Sequence, residues 1–456
     1  VNGAGTGAGA RARTGAWRVS GASHAFVVVA VLLLLVGMVL GRPDVAVLGV
    51  PLLLTVVWGW AARPRAAVRT ALHSASQEVA AGEVGADLVV EAPAGCEAMM
   101  LRVASPGLAP AEALVHLPAG ERTLGLRSAT VRTGAQQLFT VDHAGVGTGG
   151  VVRTGQATVG PVTTLVLPGV VPLGRLPLPR RLQGLTGAHD ANRAGDGGEL
   201  RDVALFAPGD RLRRIDWRTT ARRTGASGGV VRDLYVHRTF ATADATVMLV
   251  VDSRDEVGPD VGTWSGSRQV RPDDATSLDL AREAAASIAR RYLAAGDRVG
   301  LADLGMRRRA LPPAGGSRQL ARLTHRLALA QPEPQAGRLV RAPLLPSGAL
   351  VVLLSTFLDE EAAQIAHSWR RSGHQVVSVD VLPPLRESGV EPGQRTAFRL
   401  VRMERADRLE LLRRGGVDVV RWRPADVPGA VPATAALGAL ALAGRRRAGA
   451  AAGSRR

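Results

Sequence analysis

The apolar and polar positions of this chain fall into three regimes, and each predicts a different kind of structure. Residues 26–40 are an apolar run without a single charge, and residues 45–62 are a second. As a helix each reaches about 25–30 Å, close to the thickness of a bilayer's hydrocarbon core. At about −0.4 kcal/mol per central Leu, Val or Phe, some fourteen such residues make insertion of the first run favourable by about 6 kcal/mol. Only Gly41-Arg42-Pro43-Asp44 separates the runs, a turn-forming sequence short enough to impose a tight helical hairpin.

In the second regime, residues 84–167, short β-prone pieces at 87–90, 113–117, 138–141 and 163–166 are separated by Gly and Pro. That spacing predicts a small antiparallel sandwich or barrel. Residues 168–179 are proline-rich and begin a linker, and the Gly- and Asp-rich stretch through Gly198 predicts a mobile loop. In the third regime, after Thr246, continuous apolar strands alternate with amphipathic helices. Strands are expected at 247–251, 298–304, 350–354, 375–382 and 417–421. Helices are expected at 278–295, 319–329, 359–371, 405–414 and 432–443. This pattern calls for an α/β fold, a doubly wound, mostly parallel sheet covered on both faces.

The run 209–225, GDRLRRIDWRTTARRTG, carries the densest pairing of opposite charges and one Trp. It contains no His, Cys, Ser or Lys to act as nucleophile or base, so it points to a structural or docking element. Gly209 and Asp210 after Pro208 predict a turn. Ile215 and Trp217 alternate with Asp216 and Arg218, as on a strand with one buried face. On one reading Arg214, Asp216 and Arg222 form charge-assisted pairs that brace the seam between the β domain and the region C-terminal to it. On the other, the arginines hold a partner's carboxylates or phosphates. Both stay open on the sequence.

With GDGGELRDVALFAPGD before it and GGVVRDLY after it, this run resembles the signature of the domain of unknown function 58 family, over about fifty residues. The resemblance implies a bacterial protein that fuses the signature to a von Willebrand factor A-like fold and accompanies a MoxR-type AAA+ ATPase. Von Willebrand A-like domains hold a divalent metal on an Asp-x-Ser-x-Ser loop after their first strand. In the corresponding loop here, Asp252-Ser253-Arg254-Asp255-Glu256, Asp252 matches the leading Asp, but Arg254 and Glu256 stand at the two Ser positions. Near the later strand, where Ser-Asp is common, the chain has Ser355 and Thr356. A guanidinium two residues from Asp252 opposes a hard cation, so the site is read as degenerate, with Asp252 pairing Arg254 or capping a turn.

Charge and composition adjust this picture. The 456 residues carry a net charge of +18, with 57 basic residues that are all arginine. The arginines are scattered and aromatic residues make up 3% of the chain. Stacking platforms for single strands are therefore not expected, which disfavours nucleic acid as the partner. Cys96 is the lone cysteine, so no intrachain disulfide can form, and it is read as a packed side chain. His116 and His143 lie on separate β pieces without an acidic cluster, and no metal is expected there. Arg11, Arg13 and Arg18 precede the first apolar run and Arg63, Arg65 and Arg69 follow the second. Positive-inside bias then places both ends in the cytoplasm, making this an integral protein of the cytoplasmic membrane with its large soluble region facing inward.

The expected organisation is a disordered basic tail (1–22), a two-helix transmembrane hairpin (23–62), a β-sandwich-like domain (70–180) and the signature region (181–240). A von Willebrand A-like domain (241–445) and a basic tail (446–456) follow. No Gly-x-Ser-x-Gly, His-Glu-x-x-His or Walker A sequence occurs. The carboxylates Asp359, Glu360 and Glu361 are read as helix N-terminal charges. The expectation is a non-enzymatic, membrane-tethered interaction module without a cofactor, the partner of a MoxR-type ATPase in assembly or maturation of protein complexes. A metal-dependent ligand binder is the alternative, and an enzyme is ranked below both. The signature residues singled out are Gly209, Asp210, Arg214, Asp216, Trp217 and Arg222.

Overall fold

The computed structural model describes residues 9–75, 82–179, 182, 187, 189–226, 233–264, 266, 268–305, 309–332, 342–386, 390, 392–423 and 432–453. The side chains of 190–194, 196, 199, 225, 226 and 445–453 fall outside that description. The chain forms two units, Val1–Val166 with Arg271–Asp273, and Leu167–Val270 with Asp274–Arg456.

In chain order the first unit holds β1 (Ala10–Arg13), β2 (Trp17–Val19), α1 (Gly21–Val39), α2 (Pro43–Val47) and α3 (Gly49–Ala61). The strands β3 (Arg69–Ser74), β4 (Glu83–Ala92), β5 (Cys96–Ala104), β6 (Ala111–His116) and β7 (Gly120–Ala129) come next. β8 (Gly134–Leu138), β9 (Thr140–Gly147), β10 (Val152–Thr154), β11 (Ala157–Val159) and β12 (Val162–Val166) complete it. The segments Gly21–Val39 and Pro43–Ala61 are long and apolar enough to cross a membrane by length and composition. Small residues let them approach each other. A Cβ at Gly37 would lie 2.6 Å from the Ala46 nitrogen, and one at Gly49 would lie 2.8 Å from the Ala30 oxygen. Leu32, Leu35, Met38, Leu54 and Trp58 face outward instead.

The strands pair antiparallel in the orders β1-β3-β4-β7, β2-β10-β9-β5-β6 and β12-β8, with β11 on β9. Alternate residues such as Leu72, Leu88, Val90, Met99 and Val141 form the core. His143 is buried there, its Nε2 3.1 Å from Thr70 Oγ1, and burial pushes its pKa down. Burial likewise pushes the Cys96 thiol up. The expected disordered tail needs correction: residues 10–13 and 17–19 are edge strands, while 1–8 lie outside the described residues. Alternating Ala and Arg presents Ala10 and Ala12 to the core, and Trp17 Nε1 donates to the Ala66 carbonyl at 2.8 Å. A Gly- and Arg-rich composition concealed that period of two.

The second unit contains β13 (His189–Leu205), α4 (Trp217–Ala226), β14 (Tyr235–Ala243), β15 (Thr246–Val251) and α5 (Ser277–Ala294). It continues with β16 (Arg298–Asp303), β17 (Leu311–Ala314), α6 (Ser317–Ala328), β18 (Leu350–Ser355), α7 (Glu361–Arg371) and β19 (Gln375–Asp380). It ends with α8 (Arg395–Arg414), β20 (Asp418–Arg421) and α9 (Ala433–Gly453). Its six-stranded sheet runs β17-β16-β15-β18-β19-β20, with β16, β15, β18, β19 and β20 parallel and β17 antiparallel at the edge. Side-chain alternation splits the core in two. Val247, Leu249, Val251, Leu350, Val352 and Leu354 face α5, α6 and α9. Met248, Val250, Val351 and Leu353 face α7 and α8. Helix α5 starts at a capping box in which Thr276 and Asp279 satisfy each other's backbone N–H groups, worth about 1 kcal/mol. Helix α8 begins ten residues earlier than the pattern predicts.

The expected linker and mobile loop also need correction. Val170, Val171, Leu173 and Leu176 pack on the core, the Val171 N–H donates to Ser287 Oγ at 2.9 Å, and Tyr292 Oη donates to the Pro177 carbonyl. Residues 189–205 are a strand paired antiparallel with β14 through several bulges. Glycines serve close strand approach there: a Cβ at Gly195 would lie 2.4 Å from Ala241 Cβ. His189 ties the strand's start to the sheet, its Nε2 2.9 Å from the buried Asp297 carboxylate, which also accepts from the Ala245 N–H at 2.8 Å.

Candidate functional site

Two charged constellations stand out in the second unit. The first is the signature run. Gly209 has φ +101°, a conformation open to glycine and strained for other residues, and it makes the turn after β13. Asp210 fastens that turn, accepting from the Ala207 N–H at 2.9 Å and from Arg238 on β14 at 3.0 Å. The Arg238 hydrogen bond is the main cause holding the Asp210 carboxyl below the usual range. A short 3₁₀ turn, Leu212–Arg214, leads to Ile215, which bridges Val236.

The strand expected through Ile215 and Trp217 stops there. Trp217 opens helix α4 instead and is 66% exposed. The reason is Asp216, whose carboxylate accepts from the Thr219 N–H at 3.0 Å and from Thr219 Oγ1 at 2.6 Å, an N-cap arrangement with Thr219 as third residue of the turn. These hydrogen bonds, the Thr219 hydroxyl first, lower the Asp216 pKa, and His237 Nε2 lies 3.3 Å away. The predicted grouping of Arg214, Asp216 and Arg222 is therefore not formed. Arg214 donates to the Gly195 carbonyl at 3.1 Å and to Thr239 Oγ1 at 2.8 Å, clamping β13 to β14. Arg222 points outward, exposed on α4. The β14 partners Val236, His237, Arg238 and Thr239 had no sequence signal, because they lie some twenty residues away on a paired strand.

The second constellation lies at the carboxyl ends of β15 and β18, where open α/β sheets place their functional loops. Arg254 reaches back over its own loop. Its Nε donates to Asp252 Oδ1 at 2.8 Å and its Nη2 to Asp252 Oδ2 at 2.9 Å. The same guanidinium bridges to Asp359 at 2.8 Å and to Glu361 at the start of α7. Burial opposes the guanidinium's charge, but the contacts to Asp252 and then Asp359 outweigh it, and the pKa is raised above the ordinary arginine value. Ser355 Oγ donates to Asp252 Oδ2 at 2.7 Å and accepts from the Phe357 N–H at 3.1 Å. That bond supports Phe357 at φ +52°, a strained conformation for a non-glycine residue, while Arg408 donates to its carbonyl at 2.8 Å.

The remaining loop groups turn away from this cluster. Ser253 Oγ donates to Asp303 Oδ1 at 2.5 Å at the end of β16. The Thr356 carbonyl accepts from Arg405 at 2.8 Å, and Arg405 also pairs with the buried Asp380. Burial is the main cause raising the carboxyl pKa of both Asp255 and Asp303. Of the four residues read as a degenerate metal site, only Asp252 and Ser355 meet. The sequence reading pairs Asp252 with Arg254 as it stands here, but it missed Asp359 and Glu361, more than a hundred positions on. Among the described residues no three His, Cys, Asp or Glu side chains are grouped to hold a metal ion.

Residues 202–391 match the family model described as "Protein of unknown function DUF58". The match covers less than half of the chain but takes in the signature run and the loops that carry Asp252, Arg254, Asp359 and Glu361. No curated protein matches the chain, and no solved structure does. The DUF58 segment thus includes the turn at Gly209, the capped helix α4, the loop at Arg254 and strands β15 to β19. It excludes the apolar helices, α8 and α9.

Proposed function

We propose that this chain is a non-enzymatic, membrane-tethered interaction module whose second unit is a von Willebrand A-like recognition domain, acting with a MoxR-type AAA+ ATPase in the assembly or maturation of protein complexes. The observation that carries the non-catalytic part is the bridging of Asp252, Asp359 and Glu361 by Arg254. A divalent cation needs several oxygen ligands free to turn toward it, and here the carboxylates are already turned onto a guanidinium. The residues present do not fit the metal that a von Willebrand A-like fold implies. Ser355 donates to Asp252, but that carboxylate already accepts from Arg254 Nε and Nη2 and is held as an ion-pair partner, which supports a structural role over that of a free base.

Membrane tethering is supported by the two apolar helices, and arginines flanking them support a cytoplasmic orientation of the second unit. The ATPase partner rests on the signature's resemblance alone. The direct test is binding of the purified full chain, in nanodiscs, to a purified MoxR-type ATPase with and without ATP. Saturable binding supports the reading, and no binding in either nucleotide state removes the partner from it. The metal-dependent alternative is tested alongside by titrating Mg²⁺ and Mn²⁺ calorimetrically. A stoichiometric metal isotherm would favour that alternative.

A further inference from the structure

We propose that the exposed residues of the 3₁₀ turn and of the first turns of α4, namely Leu212, Arg213, Trp217, Arg218 and Arg222, form a docking surface for an acidic protein segment that also carries apolar side chains. This rests on the interaction-module reading above and names the chemistry of its partner.

The face is open and apolar at its centre. Trp217 on α4 is 66% exposed, Leu212 in the 3₁₀ turn before it is 69% exposed, and Ala221 one turn along α4 is exposed as well. A folded domain gains nothing by holding an indole in water, and an exposed Trp flanked by arginines has the composition of an interface hot spot. At 100° per residue, Trp217, Arg218, Ala221 and Arg222 share one side of α4, while the buried Thr220 lies on the other.

Within the run itself the outward charges are of one sign. The acids of the run 209–225 are Asp210 and Asp216, and both are turned inward, onto Arg238 and the Ala207 N–H, and onto Thr219 and His237. The exposed charges of the run are arginines, Arg213, Arg218 and Arg222 among them. Exposed arginines around an exposed Trp are the side chains enriched where interfaces hold most of their energy. Guanidinium forks match carboxylates in pairs.

The surface is held rigidly. Thr220 Oγ1 accepts from the Tyr235 N–H at 3.0 Å, and Arg223 lies 5.8 Å over the Tyr235 ring, so α4 is fixed to β14 from behind. A partner therefore meets a preformed face and loses little to ordering it. The run offers a single aromatic ring, where single-stranded nucleic acid needs a row of them. Two apolar side chains add little to the bilayer affinity of the paired apolar helices, so an acidic protein is the occupant the chemistry favours over a lipid surface.

The test uses the full chain in phosphatidylcholine nanodiscs and a fluorescein-labelled peptide of Asp-Glu pairs interspersed with Leu, read by anisotropy. Saturable binding is expected, weakened about tenfold by Trp217→Ala and abolished by Arg218→Glu with Arg222→Glu, with thermal unfolding unchanged. The same peptide with Lys in place of Asp and Glu should not bind. Peptide binding unaffected by these variants would overturn the proposal. So would failure of the peptide to bind while phosphatidylglycerol vesicles are captured in a Trp217-dependent way. If the peptide binds as expected but the ATPase does not, the surface stands and only the ATPase assignment fails. If the ATPase binds equally well to Arg218→Glu with Arg222→Glu, the ATPase assignment stands and the surface fails.

Discussion

Arg254 and the pair Arg218 and Arg222 belong to the same DUF58 segment, yet their surroundings give the same guanidinium opposite tasks. Arg254 is 13% exposed and meets three carboxylates drawn from two loops. Arg218 and Arg222 stand in water on a helix whose nearby acids are already engaged. The first ties the loops at the carboxyl ends of β15 and β18 together, and the second leaves charge available to another molecule. Burial, not residue type, separates an arginine that completes the fold from one that can recognise a partner.

The largest effect should come from the buried side of this comparison. Arg254→Ala leaves Asp252, Asp359 and Glu361 facing one another, and the second unit should lose about 3 kcal/mol in urea unfolding. A loss below about 1 kcal/mol would mean that the bridged carboxylates are solvated and that the site is open. Arg405→Ala should have a smaller effect, about 2 kcal/mol, because the buried Asp380 keeps Arg421 at 2.9 Å. Replacing Arg405 and Arg421 together should exceed the sum of the single changes.

The two constellations should also respond to pH with opposite sign. Asp255 and Asp303 have raised pKa values in the folded chain, so the native state holds protons that the unfolded chain has released. Their contribution is most favourable below the ordinary carboxylate value of 3.8 and is lost as pH rises through the raised values. Asp210 and Asp216 have lowered values, so their contribution is present above 3.8 and lost as pH falls through the folded values. Asp255→Asn should therefore flatten the decline in stability on the neutral side of 3.8. Asp210→Asn should flatten the decline on the acid side. Unfolding midpoints measured from pH 3 to 7 separate the two.

The smallest effect on stability belongs to the exposed side. Arg218→Ala and Arg222→Ala should each change unfolding by less than about 0.5 kcal/mol. Loss of stability beyond that would show that these side chains brace the fold, which is the structural reading the sequence left open.

The sheet was legible because its strands are continuous apolar runs that alternate with helices of clear period. Val247 to Val251 and Leu350 to Leu354 announce buried parallel strands without help from their neighbours. The apolar helices were equally plain. Residues 10–19 and 189–198 were misread because Gly, Arg and Asp composition suggests loop, whereas their strand character depends on a partner such as β3, β10 or β14. Trp217 was misread because alternation over four residues cannot separate a strand from a helix start. The Asp216 cap decides that point locally.

The order of hydrophobicity along the chain by itself determined the two apolar helices, an antiparallel β region and an alternating α/β unit, since each follows from a period written in consecutive residues. It also placed Arg254 two residues from Asp252, close enough for the guanidinium to pair with that carboxylate. Only the tertiary structure decided which carboxylates surround that guanidinium and which arginines are left facing water. Asp359 and Glu361 reach Arg254 because parallel strand order brings the ends of β15 and β18 together across a hundred residues of chain. Contacts of that range are set by sheet pairing and packing, and no local spacing records them.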